Sequence, residues 1–385
     1  MRNFNFKSPT QIVFGKGAIA KLDELISQDE KILLTYGGGS IFKNRVYEQV
    51  KTALGDRQVI EFGGVESNPT YETLMKAVEV GRREQVTFLL AVGGGSVLDG
   101  TKFIAAAIPF EGNDPWDLLC KNAKVVSAVP LASVMTLPAT GSEMNSGAVI
   151  SRKATQEKLS FGDWKLAPQF SILDPETTYS LPKNQIRNGI VDSYIHVMEQ
   201  YLTYPVATPL QDRQAEAILK TLVEEADTIL AEPADYDARA TYMWSATQAL
   251  NGNLSCGVVT DWATHGIGHE ITAFYGLAHA ETLAIVYPAL ILYKKEQKRE
   301  KILQYAQRVF GLCELPGHDL IDEAIRATEV FFHRIGMPTR FSDYGIDAQE
   351  AAQKIRDRFM DRNTKLGEHH DIFPDDVYKI LLAAA

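Results

Sequence analysis

Over the first half of the chain, short apolar runs ending in glycine alternate with segments whose apolar positions recur every three or four residues. Residues 31–36 (Lys-Ile-Leu-Leu-Thr-Tyr) run into Gly37-Gly38-Gly39-Ser40, and residues 87–92 (Thr-Phe-Leu-Leu-Ala-Val) run into Gly93-Gly94-Gly95-Ser96. Helical spacing follows each run, at 46–54 and 97–107. Between them, 59–62 reads as a strand and 71–84 as a helix with Leu74, Ala77, Val78 and Gly81 on one face. Residues 126–137 form a further strand region, ending at Pro138-Ala139-Thr140-Gly141-Ser142-Glu143. Continuous apolar runs separated by helices predict a parallel sheet covered on both faces.

Beyond Leu181 the period changes. Amphipathic stretches at 185–201, 209–230, 236–250, 282–293, 299–310, 320–335 and 347–358 are separated by Pro or Gly. The border falls between Leu173-Asp174-Pro175 and Leu181-Pro182. At 385 residues the chain exceeds one ordinary core. The expectation is an α/β nucleotide-binding domain over residues 1–180, followed by an all-helical domain over 181–385.

Composition narrows the classes of partner. The chain is 45% apolar and 23% charged, a balance that argues against disorder. A net charge of −10 disfavours a nucleic acid or an anionic membrane surface as partner. No stretch approaches the ~18 apolar residues of a membrane span. The segment Met1-Arg2-Asn3-Phe4-Asn5-Phe6-Lys7 lacks the apolar core of a signal peptide. Cys120, Cys256 and Cys313 are scattered and odd in number, which fits a reducing, cytoplasmic setting without disulfides.

Glycine directly after a buried strand lets backbone N–H groups approach a phosphate, and the following helix offers its positive end. Residues 93–99, Gly-Gly-Gly-Ser-Val-Leu-Asp, fit that physics without matching the GxGxxG pattern. The loop Gly37-Gly38-Gly39-Ser40 holds no acidic residue to accept a ribose hydroxyl, and Lys43 and Arg45 lie just beyond it. NADP is therefore expected, with NAD as the alternative.

Four of the eight histidines fall in two tight groups. Asp192 and His196 are four apart, His265 and His269 repeat that spacing, and His279 follows. Residues four apart share a helix face, so their heads can converge on one ion. Imidazoles with one carboxylate suit Zn²⁺ or Fe²⁺ over Mg²⁺ or Ca²⁺. Such an ion would polarise a carbonyl while a dihydronicotinamide delivers hydride. The small residues flanking His265 and His269 are expected to leave room for a substrate. His318, His333, His369 and His370 lack this spacing and read as surface or structural, with His369-His370-Asp371 at most an adventitious metal patch.

Together these residues resemble the iron-containing alcohol dehydrogenase family, most closely its butanol dehydrogenases and broad-range NADPH-dependent aldehyde reductases. The resemblance covers essentially the whole chain. It rests on Phe14-Gly15-Lys16-Gly17, residues 37–40, 93–99 and 136–143, and Asp261-Trp262-Ala263-Thr264-His265 with the histidines after it. It implies a dehydroquinate-synthase-like fold, a homodimer, and one divalent ion on Asp192, His196, His265 and His279. It makes His269 a neighbouring group that touches substrate or passes a proton. Gly94, Gly95, Ser96 and Asp99 match pyrophosphate and ribose contacts. Thr136, Thr140, Ser142 and Lys158 match further cofactor contacts, and Gly38 and Ser40 match the 2′-phosphate site, with Gly37 and Gly39 in the same loop. The implied activity is hydride transfer between NAD(P)H and small aldehydes or primary alcohols. Two rivals stand beside it. One is a sugar-phosphate lyase on the same fold, which the scarcity of Lys and Arg near 265–279 disfavours. The other is a non-catalytic nucleotide sensor stapled by the ion.

Overall fold

The computed structural model describes residues 1–313 and 316–385; the side chain of His318 also lies outside the described part. Eight strands are present among these residues: β1 (Gln11–Phe14), β2 (Lys31–Tyr36), β3 (Gln58–Phe62), β4 (Phe88–Gly94), β5 (Leu131–Leu137), β6 (Gly147–Arg152), β7 (Glu157–Gly162) and β8 (Phe170–Leu173). Six of them form a parallel sheet in the order β1-β8-β5-β4-β2-β3, and β6 and β7 form a separate antiparallel hairpin. Helices α1 (Leu22–Leu25), α2 (Val46–Leu54), α3 (Tyr71–Glu84), α4 (Gly95–Ala107) and α5 (Asp117–Cys120) accompany the strands.

Side chains alternate across a strand, and here they sort into two cores. Ile32 and Leu34 join Leu90, Val92, Val134 and Ile172 against Val46, Val50 and Leu54 of α2. Leu33, Leu89, Ala91 and Met135 pack instead with Leu74 and Val78 of α3 and Leu98 and Phe103 of α4. Each fully buried Leu, Val or Phe contributes ~1.5–3 kcal/mol, so the doubly covered strands are the most strongly specified part of this unit.

The helical remainder comprises α6 (Lys183–Tyr201), α7 (Pro209–Ala231), α8 (Tyr236–Ala249), α9 (Ala263–Tyr275), α10 (His279–Tyr293), α11 (Arg299–Val309), α12 (Gly317–Arg334), α13 (Ala348–Asp361) and α14 (Pro374–Leu382). The architecture is thus an α/β body and an all-helical body. By packing, one compact unit is Lys7–Ile186 with Glu232–Asn251, and the other is Met1–Phe6, Arg187–Ala231 and Gly252–Ala385. A single cut at 180/181 does not describe this division. Helix α8 belongs with the α/β unit because its buried polar groups find partners there. Tyr242 Oη donates to the Pro138 carbonyl, Arg239 Nη1 to that of Thr178 at 3.2 Å, and Thr247 Oγ1 to Glu143.

Several elements differ from the sequence pattern. The strand expected over 126–137 begins only at Leu131, after Pro130, which has no N–H for the ladder. The β6–β7 hairpin escapes the pattern because its turn, Lys153-Ala154-Thr155-Gln156, lacks the usual glycine; Gln156 itself takes the left-handed conformation at φ 50°. Helix α10 starts three residues before the expected 282, which places His279 in its first turn. Among the described residues no helix is long and apolar enough to cross a membrane.

Candidate metal centre and cofactor loops

Three helices of the helical unit carry the histidine–carboxylate group. Helix α6 presents Asp192 and His196 one turn apart, α9 presents His265, and α10 presents His279. One ligand atom from each of the four lies within 4.8 Å of the others. Asp192 Oδ1 stands 3.7 Å from His196 Nε2 and 3.6 Å from His279 Nε2. Those spacings are close to the ~3.4 Å edge of a tetrahedron with bonds of ~2.1 Å. The His265 ring lies 4.7 Å from that of His196 and 5.1 Å from that of His279. Asp192 Oδ1 is buried and has no hydrogen-bond partner among the described residues. A buried carboxylate oxygen left so is costly unless a cation takes it, so the donor set fits a divalent ion. The ligand side chains are 5% exposed at Asp192 and His196 but 22% at His279, so the group opens on the His279 side.

The start of α9 has an unusual cap. Trp262 at its N-cap supplies no side-chain bond. Instead Asp261 Oδ1 accepts from Ala263 N at 2.8 Å, and Glu199 of α6 accepts from Thr264 N at 2.7 Å and His265 N at 3.4 Å. Glu199 Oε2 also contacts His265 Nδ1, which assigns ligation to Nε2 and fixes the ring. Burial, then the nearby Asp261 charge, push the Glu199 carboxyl well above its ordinary range. Sequence reasoning passed over Glu199, although it lies seven and three residues after Asp192 and His196, on the same face of α6.

His269 stands apart from the four, half-buried, with its ring 5.3 Å from that of His279 and 6.2 Å from that of His265. The glycines beside it do not leave open space, contrary to expectation. A Cβ on Gly268 would come within 2.8 Å of Thr282 Oγ1 and 3.1 Å of Leu283 Cδ2, and one on Gly266 within 3.1 Å of Leu366 Cδ2. Glycine at 268 serves close packing of α9 on α10. The Thr282 hydroxyl it admits donates to the His279 carbonyl at 2.7 Å. His333 is exposed and bonded to Thr339 at 2.9 Å, and His369 and His370 are exposed, with His369 stacked on Tyr204.

In the α/β unit, β4 runs directly into α4 through the second glycine triplet, with Gly94 at the N-cap and no side-chain cap. The first N–H groups of α4, at Gly95, Ser96 and Val97, therefore lack intrahelical partners and suit a phosphate. The glycines are also demanded by packing. A Cβ on Gly93 would meet Val97 at 2.5 Å, on Gly94 Leu137 at 2.9 Å, and on Gly95 Thr140 Oγ1 at 2.3 Å. The first triplet differs: Ser40–Phe42 is a 3-10 turn, Gly38 and Ser40 are exposed, and a Cβ on Gly38 would meet nothing. Gly39 takes a left-handed φ of 94°, and Gly37 packs under the Val65 carbonyl.

Asp99 and Ser142 are brought together, and both already have work inside the protein. Ser142 Oγ donates to Asp99 Oδ1 at 2.7 Å, and Val149 N donates to Asp99 Oδ2 at 2.9 Å. Lys102, fully buried and missed in the sequence, donates to Ser142 Oγ, to the Asn145 carbonyl and to the Gly147 carbonyl at 2.8–2.9 Å. Burial brings the Lys102 ammonium down to about 8 against the opposing pull of Asp99 and Glu143. Asn145 thus anchors this knot. Thr140 Oγ1 accepts from Ser142 N at 3.2 Å, Thr136 is buried at the end of β5, and Lys158 Nζ donates to Asn68 Oδ1 at 2.9 Å.

Comparison with known proteins agrees with this geometry. Residues 9–175 match the model of iron-containing alcohol dehydrogenases, and residues 187–385 match that of the C-terminal region of the Fe-containing alcohol dehydrogenase family. The chain is 54% identical, over the full length of both, to the NADPH-dependent aldehyde reductase YqhD of Escherichia coli. The crystal structure of that reductase superposes with a TM-score of 0.98 at 52% identity, covering 100% of this chain and 99% of the other. The NADH-dependent butanol dehydrogenase A of Thermotoga maritima superposes with a TM-score of 0.96 at 38% identity, with the same coverage. Neither the lyase nor the sensor reading draws support from these matches. The chain is an oxidoreductase with the fold of, and belongs to, the iron-containing alcohol dehydrogenase family.

Proposed function

We propose that this enzyme reduces small aldehydes to primary alcohols with NADPH, using one divalent cation, Zn²⁺ or Fe²⁺, held by Asp192, His196, His265 and His279. The observation that carries the reading is the convergence of those four side chains within 4.8 Å. The full-length likeness to an NADPH-dependent reductase supports the choice of cofactor, and relatives named for NADH make NAD the alternative.

When bound, the cation supplies Lewis acidity toward the carbonyl oxygen and the dihydronicotinamide supplies the hydride. The protein's own contribution is placement and charge. One carboxylate among three neutral imidazoles leaves the loaded site net positive, as a carbonyl gaining negative charge requires. His269, half-buried beside His279, passes the proton that the product oxygen needs. N–H groups of Gly95 and Ser96, with Gly94 at the cap, receive the pyrophosphate. Asp99, Thr136, Thr140, Ser142 and Lys158 shape the ribose and nicotinamide contacts, and Gly37, Gly38, Gly39 and Ser40 admit the 2′-phosphate. A homodimer in a cytoplasmic, reducing setting completes the reading; three free cysteines suit that setting, and sedimentation checks the dimer.

The test is anaerobic removal of metal, reloading with Zn²⁺ or Fe²⁺, and measurement of butanal-dependent NADPH and NADH oxidation. Turnover that appears only after reloading and is faster with NADPH supports the reading. Undiminished turnover in metal-free protein overturns it.

A further inference from the structure

Three buried charges beside the metal centre have no part in that chemistry: Lys298, Asp261 and Glu368, whose side chains are 2%, 4% and 2% exposed. Lys298 sits between α10 and α11. Its Nζ donates to Asp261 Oδ2 at 3.0 Å, to both Glu368 oxygens at 2.7 Å, and to the Leu202 carbonyl at 2.8 Å. One ammonium therefore joins four stretches of chain.

Each tie leads toward His265. The other oxygen of Asp261 caps Ala263 at the head of α9, and the Asp261 N–H donates to the Glu199 carbonyl at 2.8 Å. Glu368 lies on a loop closed by the Leu366–Ile372 bridge and pinned at Asp371 by Lys294 and Gln297. Leu366 of that loop packs over Gly266, next to His265. Burial and the neighbouring Asp261 push the Glu368 carboxyl up to about 7. Burial also works to raise Asp261, but Lys298, Glu368 and the Ala263 N–H together outweigh it and hold that carboxyl below its ordinary range. Of the two carboxyls, Glu368 is the one that takes up a proton first, and Asp261, at the cap, keeps its negative charge.

We propose that Lys298 is a positioning residue for the metal centre: by fixing Asp261 against Glu368 it sets the first turn of α9, the placement of His265, and hence the cation affinity of the four ligands. This rests on the metal assignment above. Its sign is diagnostic. By charge alone, deleting a buried cation near the site would tighten divalent binding, whereas loss of positioning weakens it.

The experiment is competition for Zn²⁺ between a chromophoric chelator and wild type, Lys298→Met or Lys298→Arg. It is run well below the unfolding temperature, with circular dichroism confirming fold. Outer partners of metal ligands are worth on the order of tenfold to a hundredfold in affinity. The expected result is binding weakened at least about tenfold in Lys298→Met, with partial recovery in Lys298→Arg. If Lys298→Met does not fold, Asp261→Asn takes its place. It keeps an acceptor for Ala263 N but turns a donor toward Lys298, and the same weakening is expected. Affinity within about twofold of wild type, or tighter, overturns the proposal while leaving the metal assignment intact. Failure of wild type to bind Zn²⁺ overturns both.

Discussion

The carboxylate of Glu199 holds both the ring and the backbone of His265: Oε2 contacts Nδ1 and the His265 N–H, while Oε1 takes the N–H of Thr264 one residue earlier. One side chain from α6 thus fixes a ligand on α9 in rotation and in position. Glu199→Gln keeps one acceptor, enough for the Thr264 N–H, but turns an amide N–H toward His265 and opposes the Nδ1–H tautomer that leaves Nε2 to ligate. The expected outcome is Zn²⁺ affinity lower by about tenfold to a hundredfold with a nearly unchanged melting temperature in metal-free protein. Chelator competition and calorimetry on one preparation check both halves.

Asp192 is the only carboxylate among the four ligands. Asp192→Asn keeps the shape and removes the charge, so turnover should fall by a hundredfold or more. Bound metal, quantified in the same sample, should fall with it. Normal turnover with an empty site would contradict the role given to the ion.

The two glycine loops should respond oppositely to a small side chain. Gly95→Ala drives a Cβ to 2.3 Å from Thr140 Oγ1, and overpacking of this kind costs about 1–3 kcal/mol. Gly38 faces open space, so Gly38→Asp should leave stability within about 0.5 kcal/mol. Its new carboxylate should repel a 2′-phosphate and lower kcat/KM for NADPH relative to NADH. Urea melts and parallel steady-state assays with the two cofactors separate the effects.

Glu368 gives the pH dependence a definite sign. Its carboxyl, at 4.5 when unperturbed, is raised to about 7 in the folded protein. Between those values the native state holds a proton that the unfolded chain has released, so its contribution to stability is full below 4.5 and lost as pH rises through 7. The amide of Glu368→Gln imitates the protonated acid. The variant should match wild type at pH 5 and exceed it at pH 8.5 by up to about 3 kcal/mol, read from urea unfolding of metal-free protein. A variant less stable than wild type at both pH values would refute the assignment.

Legibility in the sequence followed the range of the signal. Strands β2 and β4 were readable because burial on both faces makes every residue apolar, as in Leu89-Leu90-Ala91-Val92. The pair Asp192 and His196 was readable because helical geometry converts a spacing of four into a shared face. Convergence of α6, α9 and α10 was not, since it depends on packing that no local pattern encodes; only the resemblance separated His279 from His269 as a ligand. Lys102 and Lys298 look like ordinary surface lysines in the chain and are buried among acceptors in the fold. Gly266 and Gly268 were misread for the same reason, because missing side chains look alike whether the space is open or filled by Thr282 and Leu366.

That last pair binds the fit of α9 on α10 to the chemistry of the site. A methyl at position 268 would press on Thr282, and Thr282 holds the carbonyl of His279, so the first casualty would be the reach of one ligand rather than the integrity of the bundle. A protein mutated there should still fold and purify, with a melting temperature lowered by the overpacking, yet come off the column carrying less than its share of cation.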